Sequence, residues 1–220
     1  MEAHEVILLA VAAGILVVLV WRLASRRREL PCPVWLRRMV ELDNPFTKTN
    51  RAGSIVEHLE LAQGMTVLDA GCGPGRITLP VAEHVGVQGH VVAMDIQEGM
   101  LSRVRDKARQ RGAANIEFLH AGLGQGKLET GCFDRALLVT VLGEIPERLD
   151  AMRELFNALK PSGILSITEV IFDPHFQRRS TVSRLAVEAG FEVKDVFGNA
   201  IAFTMNVRKP PHDELREGSS

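Results

Sequence analysis

From Met65 onward the chain alternates short apolar runs with longer stretches whose apolar residues recur at helical spacing, a pattern met by a parallel sheet with helices on both faces. Strands are predicted at 66–70, 90–95, 116–120, 134–139, 163–170, 192–197 and 200–207. Helices are predicted at 76–85, 99–111, 147–159 and 181–189, the third with Pro146 near its start and Leu149, Met152, Leu155, Phe156 and Leu159 on one core-facing stripe. With 220 residues there is room for one such domain and little more. Cys32, Cys72 and Cys132 form no C-x-x-C pair and are odd in number, which argues against a disulfide framework or a zinc ribbon; no metal is expected.

The string Val67-Leu68-Asp69-Ala70-Gly71-Cys72-Gly73-Pro74-Gly75 falls where the first strand gives way to a helix. Glycines in such a turn let backbone approach a ligand, since no Cβ intervenes and positive φ is cheap. Asp95 ends the next strand, 24 residues after Gly71, where a carboxylate can accept both ribose hydroxyls of an adenosine. A dinucleotide fold wants a small residue at the last position of G-x-G-x-x-G, and Arg76 stands there, which disfavours NAD.

With Asp69 two positions before Gly71, the string resembles the D-x-G-x-G-x-G motif of class I S-adenosylmethionine-dependent methyltransferases. Three further features continue the resemblance over residues 46–207. Phe133-Asp134 opens a strand like that family's fourth, and Leu159-Lys160-Pro161-Ser162-Gly163 is similar to its L-K-P-G-G turn. The end of the chain fits its closing hairpin, with Gly198-Asn199 as a two-residue turn. The resemblance implies an α/β, Rossmann-like seven-stranded sheet of order 3-2-1-4-5-7-6 and S-adenosyl-L-methionine as cofactor. It implies cofactor contacts from Asp69, Gly71, Cys72, Gly73 and Gly75, from Asp95 and Ile96, from Gly122, and from Leu138 and Val139. The side chain of Cys72 is expected to serve as packing. A helix at 47–61 would, by the same resemblance, form part of a lid over the cofactor.

The chain also departs from the family. Many relatives place an Asp after the third strand to hold the adenine amino group, whereas Ala121-Gly122-Leu123-Gly124-Gln125-Gly126 stands here, leaving backbone or Gln125 for that contact. This glycine cluster lacks the Lys-Ser/Thr ending of a phosphate loop. After the fourth strand, Leu142-Gly143-Glu144 replaces a frequent Leu-His, and the N-P-P-Y string of amino-methylating DNA enzymes is absent.

A sulfonium methyl is already activated, so transfer depends mainly on holding an acceptor in line; a base is needed only for an acceptor that rests protonated. Polar residues at the carboxyl ends of strands four and five are the catalytic candidates: Thr140, Glu144, Glu169 and, in the next connection, Asp173 and His175. Arg178 and Arg179 could grip an anionic acceptor or simply start a helix.

Residues 6–21 carry no charge, about 24 Å of helix, and Arg22, Arg26, Arg27 and Arg28 follow rather than precede them. That polarity predicts an uncleaved single-span anchor over 1–24, with the catalytic side in the cytoplasm. A basic linker with an amphipathic piece at 34–42 fills 25–45, the methyltransferase domain 46–208, and a disordered tail 209–220. Residues 22–51 hold eight Lys/Arg against three Asp/Glu, fitting lipid headgroups, while the rest of the catalytic body is net acidic and no nucleic acid is expected. The expected acceptor is therefore a lipophilic small molecule or lipid: a phospholipid amine, a quinone precursor or a thiol. The whole-chain pattern is loosely similar to the ubiquinone/menaquinone methyltransferase group. The alternatives are a non-catalytic cofactor-binding sensor or scaffold, and methylation of a membrane protein.

Overall fold

In the computed structural model, residues 50–211 are described, together with positions 4–6, 12 and 16. The membrane anchor and the amphipathic piece expected before residue 46 lie almost wholly outside the described residues. Among the described residues no helix is long and apolar enough to cross a membrane.

Helix α1 (Ala52–His58) leads into β1 (Thr66–Ala70), α2 (Thr78–Val85), β2 (His90–Asp95), α3 (Glu98–Arg111) and β3 (Ile116–His120). Then come β4 (Phe133–Val139), a 3-10 turn (Leu142–Glu144), α4 (Arg148–Ala158), β5 (Leu159–Val170), α5 (Arg179–Glu188), β6 (Glu192–Gly198) and β7 (Ala202–Arg208). The seven strands form one sheet of order β3-β2-β1-β4-β5-β7-β6, with β7 antiparallel to β5 and β6 and the remaining pairs parallel.

Strands buried on both faces explain the unbroken apolar runs, because side chains alternate between the two sides of the sheet. Leu68, Leu138, Leu165 and Ile167 pack with Met152 and Leu155 of α4 and Val182 and Leu185 of α5. Val67, Val91 and Leu137 point the other way, onto Ile55 of α1 and Val81 and Val85 of α2. Both clusters are built from buried apolar side chains, and the sheet holds its strand ends in fixed register.

Several predicted boundaries move. The helix expected at 47–61 occupies Ala52–His58, with 47–49 outside the described residues. Its exit is fixed by side chains that capture carbonyls at its end: Asn206 Nδ2 donates to His58 O (2.7 Å) and Arg135 Nε to Leu59 O (2.7 Å). Helix α2 begins at Thr78, not Arg76; Arg76 lies in the turn before it, its guanidinium reaching back to Asn50. The β5 ladder starts at Leu159, which pairs with Phe133 ahead of a register shift, instead of at Gly163. Gly198 pairs with Phe203, so the closing hairpin turns through a longer loop than two residues. Asn199 Oδ1 holds that loop, accepting from Ile201 N (3.0 Å) and Ala202 N (3.1 Å). The tail expected to be disordered from 209 begins with order: Lys209 donates its backbone N–H to Gly163 O (2.9 Å) and its ammonium to Leu159 O (2.7 Å), over the Phe156 ring.

Candidate active site

A cavity of about 510 Å³ opens at the carboxyl ends of β1, β2 and β4, where the first two strands of the central sheet lead into glycine turns and loops. Its floor is the turn after β1. Gly71 has φ +74, and a Cβ there would lie 2.5 Å from Val141 Cγ2, so only glycine lets the turn pass under the loop that follows β4. Asp95 fixes the turn from the side: its Oδ2 accepts Gly73 N–H at 2.9 Å and its Oδ1 accepts Gln97 N–H at 2.8 Å. Burial raises its carboxyl above the ordinary value, and those backbone donors oppose the shift.

Of the residues predicted to touch a cofactor, Gly71, Gly73, Asp95, Ile96, Gly122 and Val139 line this cavity. Asp69, Cys72, Gly75 and Leu138 do not, each for a local reason. The Asp69 carboxylate, 2% exposed, accepts the Thr78 hydroxyl at 2.6 Å and so pins the first residue of α2; burial pushes it up to about 6. Cys72 packs with Ala93, Leu101 and Val104. A Cβ on Gly75 would strike Val104, so that glycine serves helix packing. Leu138 sits one residue before Val139 in β4 and therefore faces the opposite core.

Among the catalytic candidates, Thr140 and Glu144 line the cavity, as does Asp173. Thr140 has φ +56, an uncommon conformation for a β-branched residue, held by its N–H on Thr168 O (2.8 Å) and its hydroxyl on Val139 O (2.7 Å). Glu169 and His175 stand behind the wall, 1% and 7% exposed. The Glu169 Oε2 accepts Gln177 N–H at 2.9 Å, and burial pushes its carboxyl up to about 8. Of the two arginines considered as anion grips, Arg179 lies with its guanidinium over the Phe203 ring, 5.3 Å from the centroid, where it packs.

Sequence reasoning missed the apolar wall: Met94, Met100, Val141, Ile145 and Pro146 complete the lining. No signal separated them from core residues, since apolar side chains at a strand end look alike whichever side of the loop they face. Glu147, another lining residue, was legible only as a helix start.

The charge of the cavity decides what it can hold. Asp95, Glu144, Glu147 and Asp173 line it, and among the described residues no lysine, arginine or histidine does. Such a wall suits a cation and offers nothing to the phosphates of a dinucleotide. A sulfonium nucleoside, with ribose hydroxyls to donate and a positive sulfur, fits these residues; NAD does not.

Residues 61–201 match the family described as "Methyltransferase domain". The chain belongs to that family. It is 30% identical over 108 residues to a demethylmenaquinone methyltransferase of Listeria welshimeri, covering 49% of this chain and 46% of the relative. To a demethylmenaquinone methyltransferase of Lactococcus lactis it is 35% identical over 100 residues (46% and 40%). To a Vibrio vulnificus protein named ubiquinone/menaquinone biosynthesis C-methyltransferase UbiE it is 33% identical over 115 residues (50% and 44%). The methyltransferase-family chain thus spans under half the length of each of these relatives. Among solved structures, a SAM-dependent methyltransferase from Aquifex aeolicus superposes with a TM-score of 0.72 at 23% identity, covering 81% of this chain and all of the other. The [4+2]-cyclase SpnF superposes with a TM-score of 0.67 at 20% identity over 73% of this chain and 80% of its own. These two likenesses concern the fold.

Proposed function

We propose that this methyltransferase-family chain transfers the methyl group of S-adenosylmethionine to a lipophilic, hydroxyl-bearing acceptor of the quinol kind, met at a membrane surface. The observation that carries the proposal is the cavity, acidic and, among the described residues, without a lining cation, set over the glycine turn with Asp95 at its side. S-adenosylmethionine supplies a methyl on positively charged sulfur, which an electron-pair donor takes directly. In that arrangement Asp95 accepts the ribose hydroxyls, the Gly71–Gly73 backbone lies along the amino-acid end, and the carboxylates of Glu144 and Asp173 lie on the acceptor side.

Three features support the lipophilic acceptor. The cavity wall is largely apolar, with Met94, Met100, Val141 and Ile145 on it. Beside Asp173 in the chain, Ile171 and Phe172 are exposed, and Ile201, bonded to Ile171, is exposed with them. The curated relatives are named for quinone methylation. For the membrane, support comes from the sequence alone: the uncharged run 6–21 followed by arginines argues for a single span with the catalytic side in the cytoplasm.

Purified full-length protein incubated with methyl-labelled S-adenosylmethionine and chemically reduced membrane extract tests the proposal. Label is expected in the organic phase, on a hydroxylated ring identified by mass spectrometry. Label in the protein fraction would redirect the activity to a membrane protein. Calorimetric binding of S-adenosylmethionine with no label transferred anywhere would make the chain a sensor, and no binding would overturn the cofactor assignment itself.

A further inference from the structure

His175 is a buried imidazole. Its side chain is 5% exposed, and among the described residues neither Nδ1 nor Nε2 finds a hydrogen-bond partner. Interiors seldom leave such a group unsatisfied, because its desolvation is then uncompensated. Its Nδ1 stands 3.8 Å from Glu144 Oε1 and 3.8 Å from Asp173 Oδ1, just beyond bonding range of both. Those carboxylates belong to residues that line the cavity.

The packing holds this arrangement in place from several sides. A Cβ on Gly143 would run into the His175 carbonyl oxygen, so the turn carrying Glu144 is pressed directly against the connector carrying the imidazole. The connector is folded on itself, with Asp173 Oδ1 accepting His175 N–H at 2.7 Å. The charged groups nearest the ring are Glu144 from the turn and Asp173 from the connector, and these two in turn act on Glu169 at the end of β5 together with Arg148 from α4. Arg148 donates to Leu142 O (3.2 Å) and Gly143 O (2.9 Å), bracing the turn. Further along, Arg179 of α5 is stacked on Phe203. Glu169, pushed up to about 8 by burial, is protonated at neutral pH, which leaves the local negative charge to Glu144 and Asp173.

We propose that Glu144 takes the proton of the methyl acceptor and passes it to His175, which Asp173 holds in place as an imidazolium. This rests on the methyl-transfer function above and adds the residues that make the acceptor nucleophilic. The acceptor O–H bond breaks and its proton moves to the Glu144 carboxylate, then to His175 Nδ1 once acceptor binding closes the 3.8 Å gap to hydrogen-bond length. The freed electron pair forms the bond to the methyl carbon, and the carbon–sulfur bond breaks with its pair retained by sulfur, which becomes a neutral thioether. Where the new bond forms at a ring carbon beside the hydroxyl, the relay returns its proton to the oxygen and takes the ring hydrogen instead. Either way one proton leaves for one methyl gained, with no change of oxidation state. The acceptor this relay serves is uncharged, has an O–H to give up, and carries no carboxylate or phosphate near the reacting atom, since four acidic residues line the cavity.

Two measurements on the full chain test the relay. The first needs no acceptor: the ring ¹⁵N chemical shifts of His175 are expected to change in E144Q and in D173N, and shifts indifferent to both substitutions would make His175 a packed residue and overturn the proposal. The second follows label from methyl-labelled S-adenosylmethionine into a naphthohydroquinone bearing one prenyl chain. E144Q is expected to lower kcat by about 10²–10⁴-fold, the usual span for loss of a general base, with a far smaller effect on calorimetric affinity for S-adenosylmethionine. H175N is expected to lower kcat less and to change the shape of its pH profile. A wild-type pH profile in E144Q, or an H175N effect confined to melting temperature, would overturn the relay. Should the ¹⁵N shifts respond while the wild type methylates no hydroquinone, the quinol assignment and the relay's role in it fall, and only the coupling of His175 to Glu144 and Asp173 stands.

Discussion

Asp95 and Glu169 illustrate how one residue type serves opposite ends. Asp95 faces the cavity with both oxygens already oriented by backbone N–H groups, so its remaining lone pairs are aimed before a ligand arrives. D95N should weaken S-adenosylmethionine binding by roughly 1.5–3 kcal/mol, the scale of a hydrogen bond to a charged group, read by calorimetry. Glu169 is turned inward, and its folded value of about 8 lies above the unfolded 4.5. The folded protein therefore holds that proton more tightly, and the stability it contributes is whole below about pH 4.5 and gone above about pH 8. The melting temperature is expected to fall across that window in the wild type and to fall less in E169Q; equal slopes would refute the assignment. At this scale the sequence was informative about which residues sit near the turn and poor about which way each points. Val139 and Leu138 are neighbours with opposite faces, and Asp69, two residues before Gly71, turns away to Thr78. A strand reverses its side chains at every step, so a motif names a neighbourhood and only packing selects the face.

The elements themselves were more legible, because each is specified by many residues at once. Strands β1, β2 and β3 lie where the apolar runs place them, and α4 carries Leu149, Met152, Leu155 and Phe156 of the predicted stripe, with Met152 and Leu155 fully buried and Leu159 passed into β5. M152A or L155A should cost about 2–5 kcal/mol in chemical denaturation, as large-to-small changes in a packed core do. Loops were less legible, since what holds them is supplied by distant side chains. The segment after β3 is the clearest case: the Glu154 carboxylate of α4 accepts the N–H groups of Gly124, Lys127 (2.7 Å) and Leu128 (3.2 Å). Gly122, Leu123, Gly124 and Gln125 of that segment line the cavity, so one carboxylate on a neighbouring helix sets the shape of the cofactor edge. E154Q is expected to raise the KM for S-adenosylmethionine more than it lowers kcat, with partial rescue by E154D. A change in melting temperature alone would reduce Glu154 to a structural clasp.

For the molecule as a whole, attachment to lipid is separable from cofactor binding. A full-length chain carrying I15D and V18D is expected to leave the membrane fraction on centrifugation while binding S-adenosylmethionine as before; persistence in the pellet would count against a span at 6–21. The sheet order was recoverable in advance because strands, turns and glycine string occur in one characteristic succession, whereas the pocket is assembled from five separate connections and has no linear signature. That same sheet order has an effect on biosynthesis. Because β7 is the last strand of the domain yet lies between β5 and β6, a nascent polypeptide that has released everything through Gly198 still has an open slot beside β5. The ribosome must deliver Ala202–Arg208 before the gap can close. Chaperones that shield exposed strand edges would thus have a target at this stage, and a pause in translation between the codons of β6 and β7 would lengthen its exposure.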